Sequence, residues 1–303
     1  SIVYSDATKG WVPISDDAVA DVPVPGNQEG IFAYGNTGSA TAISNLVSNA
    51  GVVASDVTGV GTARYNLAAT EYGNDKGIFG FGTTGSVVSM TNLISNAGVV
   101  ATDTTGVGTA RYALAACSYG GDKGIFAFGD SGSYTAVSNL VSNSGVVASD
   151  TSGVGTARQY SAATEYGGDK GIFGYGYAGG NVSMTNLVSN SGVVSSDVSG
   201  VGTARHYPAA CGYGEDKGIF GYGNSSSLTN LISNVGVVSA DVTGVGTARH
   251  YLAACEYGLD KGIFGYGYGN VSMTNLVSNS GVVGTDVTGV GTGRHGLAAC
   301  SFN

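Results

Sequence analysis

Six copies of one stretch constrain this chain more than any other feature. The triplet Gly-Ile-Phe starts at Gly30, Gly77, Gly124, Gly171, Gly218 and Gly262, so successive gaps are 47, 47, 47, 47 and 44 residues. An arginine recurs in step, at Arg64, Arg111, Arg158, Arg205, Arg249 and Arg294. A fixed period in this range marks a propeller, a solenoid or an array, and it outranks residue-level reading. Each copy is patterned for β structure. In the third, LAAC (114–117) is a short apolar run, GIFAFG (124–129) alternates large and small residues, AVSNLVSN (136–143) alternates again, and VVASD (146–150) follows a tight turn. Runs of period two broken by Gly, Asn and Ser read as antiparallel strands, and no window carries a stripe of helical period. Each copy is therefore expected to supply four strands, A to D in chain order.

Four short strands per copy make a propeller blade, so the expected fold is all-β: a six-bladed β-propeller of four-stranded antiparallel blades. In GIFGYG the rings of Phe173 and Tyr175 are expected on one face, with Ile172 and Gly174 on the other. A bulky face against the glycine-cut face of the next blade accounts for 53 glycines in 303 residues. The repeats enter on strand B at Gly30 and leave on strand A, residues 297–300. The C-terminal strand is expected to complete the first blade and lock the ring, which also removes exposed sheet edges.

Residues 1–28 belong to no repeat and hold Trp11 and three of the four prolines, Pro13, Pro23 and Pro25. They are expected to form an N-terminal extension or attachment segment, with a junction near Pro25–Gly26 and the propeller occupying 29–303. No charged n-region followed by an apolar h-region precedes them, and the missing initiator Met suggests a processed or excised fragment. No run is apolar enough for a membrane span. Lys and Arg number 12 against 21 acidic residues, for a net charge of −9, and all but Lys9 of the basic residues are repeat positions. That excludes a nucleic-acid binder, which needs clustered cations to displace phosphate counterions.

Cys117, Cys211, Cys255 and Cys300 share one column of strand A with Thr70 and Thr164. Equivalent positions on different blades lie too far apart for a disulfide, so free buried thiols are expected. Their spacing fits no zinc motif, and no metal or cofactor is expected.

The order Arg, small apolar strand, turn, "DKGIFGYG", variable loop and "TNLVSN" resembles the kelch-type propeller repeat over residues 30–303. It departs from that pattern in its single glycines after strand B, such as Gly129 and Gly223, and in lacking a strand D tryptophan. The segment "VYSDATKGWVPISDD" resembles pieces of bacteriophage tail-fibre and other virion proteins. The kelch resemblance implies a binding module or a copper oxidase of the galactose oxidase type. The tyrosines, histidines and cysteine of that copper site cannot be placed on these repeats, so oxidase activity does not carry over. Six-bladed sialidases grip a carboxylate with three arginines. Here each arginine stands eight residues after an aspartate, as Asp56 before Arg64, and sixfold recurrence points to a framework ion pair or hydrogen-bond link between the D–A loop and a neighbour. Asp122–Lys123 and its counterparts read as solvated turns.

Variation between copies is the better guide to function. In a meander the D–A linkers and B–C loops share one rim. After the arginines stand Tyr65-Asn66, Tyr112-Ala113, Gln159-Tyr160, His206-Tyr207, His250-Tyr251 and His295-Gly296, and the B–C loops (36–41, 83–88, 130–135, 177–182, 224–227 and 268–271) differ as well. A surface that diverges on a repeating scaffold is where a ligand is read, although drift in unconstrained loops gives the same pattern. The candidate ligand-binding residues are Tyr112, Tyr160, His206, His250, Tyr177 and Tyr268. The three histidines, His206, His250 and His295, sit at equivalent places on consecutive blades, where convergence on one metal is strained. Asn181, Asn224 and Asn270 open N-x-S sequons that would matter only in a eukaryotic secretory host.

Two classes of function follow. One is a non-enzymatic surface-binding or structural module of a phage virion or tail fibre, binding host glycan or another protein, with other virion proteins held through residues 1–28. It would act on a virion or outside the cell. The other is an extracellular carbohydrate-active hydrolase or lyase with its site on the same rim, for which an acid–base pair outside the repeat positions is the discriminating feature. Glu71, Glu165, Glu215 and Glu256 lie in or beside the A–B turns of the opposite rim, and Asp130 is the only non-repeat acid in a B–C loop. Binding without catalysis is the expectation.

Overall fold

The computed structural model describes residues 28–302 together with the backbone of two short strands, β1 (Ile2–Asp6) and β2 (Gly10–Pro13), which pair as an antiparallel hairpin. The junction expected at Pro25–Gly26 lies outside the described residues. Among the described residues there is no helix, and none therefore that is long and apolar enough to cross a membrane. Beyond the hairpin stand six antiparallel sheets of three strands each. The first joins β20 (Ala298–Phe302) to β3 (Glu29–Ala33) and β4 (Ser44–Val47). The second holds β5 (Ala68–Tyr72), β6 (Lys76–Gly80) and β7 (Thr91–Ile94), and the third β8 (Ala115–Tyr119), β9 (Lys123–Ala127) and β10 (Ser138–Val141). The fourth holds β11 (Ala162–Tyr166), β12 (Lys170–Tyr177) and β13 (Asn181–Val188), and the fifth β14 (Ala209–Tyr213), β15 (Lys217–Gly221) and β16 (Thr229–Ile232). The sixth holds β17 (Ala253–Tyr257), β18 (Lys261–Gly267) and β19 (Val271–Val277). These repeated, blade-like units are consistent with a propeller. The first strands touch in the order β5, β8, β11, β14, β17, β20, and β20 touches β5 again.

The C-terminal strand does complete the first sheet: Ala298 pairs with Ala33 and Phe302 with Glu29. The expected fourth strand is not one. Each D segment makes isolated bridges only, such as Val47 to Val53 and Ser44 to Val57 in the first unit. A side chain explains the interruption. Asn45 Nδ2 donates to Ala54 O (3.0 Å) and to Asp56 Oδ1 (2.9 Å), and this side-chain link stands where a continuous ladder would run. Blades therefore have three strands and a bridged outer segment.

Sheets pack ring against glycine. A Cβ on Gly174 would fall 2.6 Å from the Phe220 ring of the next unit, and one on Gly221 would fall 2.6 Å from Phe264. Tyr175, however, does not share a face with Phe173. It takes φ 62°, the β12–β13 register slips between Gly174 and Gly176, and its ring meets Phe220 at 5.1 Å while Phe173 meets Phe128 at 5.3 Å on the other side. A left-handed residue at a bulge reverses the side that alternation predicts.

Candidate functional site

The rim begins with the arginines, because they position every linker. Arg111 is fully buried: Nε donates to Phe128 O (2.9 Å), Nη1 to Thr109 O (3.0 Å) and Nη2 to Asn139 Oδ1 (2.8 Å). Its guanidinium lies 4.3 Å from the centre of the Phe81 ring of the preceding sheet, and burial holds its pKa down to about 10. One side chain thus joins two sheets. The linkers are tied to neighbouring units, as expected of a framework ion pair or hydrogen-bond link, but Arg64 does not pair with Asp56, the aspartate eight residues before it. Arg64 approaches Asp103 of the next unit, at 3.9 Å, and Asp56 instead accepts from Thr292 N–H and Oγ1 of the linker before its sheet. The link runs forward across the interface because the linker crosses to the next sheet before the arginine is reached.

Two residues past each arginine the chain turns left-handed at every copy: Asn66, Ala113, Tyr160, Tyr207, Tyr251 and Gly296 have φ between 52° and 61°. Five backbone hydrogen bonds of 2.7–3.0 Å run from Tyr207 N to Tyr160 O and onward through Ala113, Asn66 and Gly296 to Tyr251 O. The left-handed turn points each N–H at the preceding linker, which makes a rigid collar at the mouth of the axis. Asn and Gly adopt this conformation cheaply and tyrosine does not. Three tyrosines kept there point to a use for their rings.

Those rings form part of a continuous aromatic arc. Tyr207 lies 3.9 Å from Tyr160 and 3.7 Å from Tyr251, and Tyr112 joins Tyr160 at 6.2 Å. Farther out, Tyr177 meets His206 at 5.6 Å, while His250 stacks on Tyr268 at 4.7 Å and 20°. Tyr268 also meets His295 and is 58% exposed. All six candidates therefore stand on one rim and are connected through ring contacts. Tyr207, Tyr251 and His295, outside the candidate set, complete the arc. Their signal was present in the columns: Asn66 and Gly296 beside Tyr207 and Tyr251 mark a left-handed position at which a tyrosine is out of place.

Loops and linkers interlock to hold the arc. The backbone of Gln159 bridges Tyr177 of the following B–C loop, whereas the His206 ring reaches back to Asn181 of the preceding one. Nδ1 of His206 lies 2.7 Å from Asn181 Oδ1, and Nδ1 of His295 lies 2.8 Å from Asn270 Oδ1. A carbonyl oxygen only accepts, so both rings donate from Nδ1, which leaves Nε2 of the neutral imidazole as an acceptor. Burial, then repulsion from His250, lowers the His206 pKa; burial alone lowers that of His295. Burial, and then the neighbouring tyrosines, push the Tyr160 hydroxyl pKa up. The arc is built of tyrosine and histidine alone and holds no formally charged side chain. Asp130, the non-repeat acid of a B–C loop, accepts from Gly132 N–H in its own loop at 2.8 Å.

At the opposite end of the axis Glu71, Glu165 and Glu256 stand beside their A–B turns, as expected: they are fourth in β5, β11 and β17, and they line an axial cavity of about 50 Å3. Ser118, Gly212 and Ser301 occupy the same column between them. Glu165 Oε2 accepts from Ser118 Oγ at 2.6 Å, and a Cβ on Gly212 would fall 1.8 Å from Glu256 Oε1. Large and small residues thus alternate so that three carboxyls share one narrow space. Glu215 lies in its turn, as expected. Burial raises the pKa of Glu165 and Glu256, and the charges of Glu71 and Glu165 raise Glu256 further. An acid whose folded pKa lies above its unfolded value costs stability as pH rises past that unfolded value, here 4.5. Glu256→Gln is expected to stabilise the protein at neutral pH and to flatten the decline of melting temperature above pH 4.5. Denaturant melts of both proteins across that range check this, and equal stability at every pH contradicts it.

The four cysteines are free and buried, and burial raises their thiol pKa values. Among the described residues no group of three or more His, Cys, Asp or Glu side chains is arranged to hold a metal ion. No protein-family model matches the chain, and no curated protein is significantly similar to it.

Proposed function

We propose that the protein is a non-enzymatic binding module: a six-bladed, kelch-like propeller that reads a glycan or protein surface with the rim formed by its D–A linkers and B–C loops. Residues 1–28 are its attachment segment, and a virion or another extracellular surface is its setting, which the resemblance to tail-fibre segments suggests. One observation carries this reading. The face on which the copies differ is also the face on which Tyr112, Tyr160, Tyr177, His206, His250 and Tyr268 join in one ring network. Flat rings with a polar edge suit sugars and protein anchors alike. Catalysis is disfavoured because the rim's Asp130 is tied into its own loop and the grouped carboxyls lie at the far end of the axis.

Blocking each rim in turn tests this. The native thiols are buried, so a bulky maleimide reacts only with an introduced cysteine. Labelling Tyr268→Cys is expected to abolish retention on a glycan and protein array, and labelling Val193→Cys, in the C–D turn of the other rim, to leave it intact. The reverse result overturns the assignment.

A further inference from the structure

The collar breaks the repeat at one place. The residue after the left-handed position is Leu67, Leu114, Leu252 or Leu297 in four linkers and Pro208 in a fifth, but Ser161 in the sixth. These residues line the mouth of the axis, a cavity of about 70 Å3. Ser161 is only 8% exposed, and its Oγ has no hydrogen-bond partner. Two residues earlier in the same linker, Gln159 Oε1 is also buried without one. An unmet polar atom carries a desolvation cost that leucine at the same site would not. The wall is lopsided too. Tyr160, Tyr207 and Tyr251 stand on one side, with Tyr251 Oη donating to Tyr207 Oη at 2.5 Å, and the smaller Asn66, Ala113 and Gly296 stand on the other, where Asn66 Oδ1 lies 2.6 Å from the place of a Cβ on Gly296.

The space holds about two groups the size of water, at roughly 30 Å3 each. That admits a hydroxymethyl arm. No residue lining it is charged, so an anionic or cationic group entering would lose its hydration without compensation. We infer that the mouth is a subsite for the hydroxymethyl or hydroxyl terminus of a neutral saccharide, packed against the tyrosine wall and hydrogen-bonded by Ser161 Oγ once that buried hydroxyl turns toward the mouth. This rests on the rim being the reading face, and it selects glycan over protein as the ligand.

Ligand-observed saturation-transfer NMR with methyl glucosides, galactosides and mannosides, set against glucuronate and sialic acid, tests it on the full chain. At least one neutral hexoside is expected to bind, and the acids to give no transfer. Ser161→Leu restores the residue of the other linkers and is expected to weaken binding about tenfold, the loss of one ligand hydrogen bond, without lowering the melting temperature. Ala113→Tyr, which fills the side of the smaller residues, is expected to abolish it; Ser161→Ala repeats the first test should the leucine variant misfold. No transfer from any hexoside, or preference for the acids, overturns the inference. Hexoside binding that survives Ser161→Leu and Ala113→Tyr but is lost in His250→Ala/Tyr268→Ala overturns the subsite and leaves the rim reading standing. Loss in the mouth variants alone supports the subsite and counts against the outer arc.

Discussion

Removal of residues 294–303 is expected to abolish cooperative unfolding. That segment carries β20, whose Cys300 and Phe302 are buried, along with Leu297, Ala298 and the fully buried Arg294. It also pairs with β3 along its whole length and contacts both β17 and β5. Each buried apolar side chain contributes about 1.5–3 kcal/mol, so the segment alone rivals the roughly 5–15 kcal/mol by which a domain is stable. Its loss would also uncover one edge of β3 and the faces of two neighbouring sheets. Calorimetry of the truncated chain should show no sharp transition. A truncated protein melting at the temperature of the parent would contradict closure by the C-terminal strand.

Arg111→Ala is expected to destabilise the protein by about 3–5 kcal/mol, because it strands Phe128 O, Thr109 O and Asn139 Oδ1 and leaves a void against Phe81. For a chain of this size that lowers the melting temperature by about 10 °C. Lysine at this place supplies one point donor where the guanidinium supplies three directed ones, so Arg111→Lys should recover little. Ligand binding below the new melting temperature should persist. An unchanged melting temperature with binding lost would make the arginine part of the site and not of the frame.

The period alone carried the number of units, their antiparallel strands and the complementary ends, because each copy repeats the same alternation and the same turns. What it could not carry lies between units. Tyr175 reads as facing the same way as Phe173 until the left-handed bulge is known, and nothing local announces φ 62° at a tyrosine. Arg64 stands eight residues from Asp56 yet meets Asp103, because the contact is made across an interface and not along the chain. The bridged D segment looks like a strand since the competing hydrogen bonds come from an asparagine in strand C, as Asn45 does to Ala54. The rim was legible from variation among copies. The collar was not, although Asn66 and Gly296 in the column of Tyr207 and Tyr251 carried its signature. The alternation of Glu71, Glu165 and Glu256 with Ser118, Gly212 and Ser301 was likewise visible once the column was compared around the ring and not within one copy.

The reading face is tested most directly by array binding of a folded His250→Ala/Tyr268→Ala variant beside the parent, at low and at high salt. His250 and Tyr268 form the stacked pair of the arc, and replacing them touches neither the arginines nor the collar backbone. The arc is uncharged, so the parent's retention should be nearly the same at both salt concentrations. The double variant should lose it at both while melting within a few degrees of the parent. Undiminished binding by the double variant, or parental binding that disappears in high salt, would contradict an aromatic, uncharged reading face.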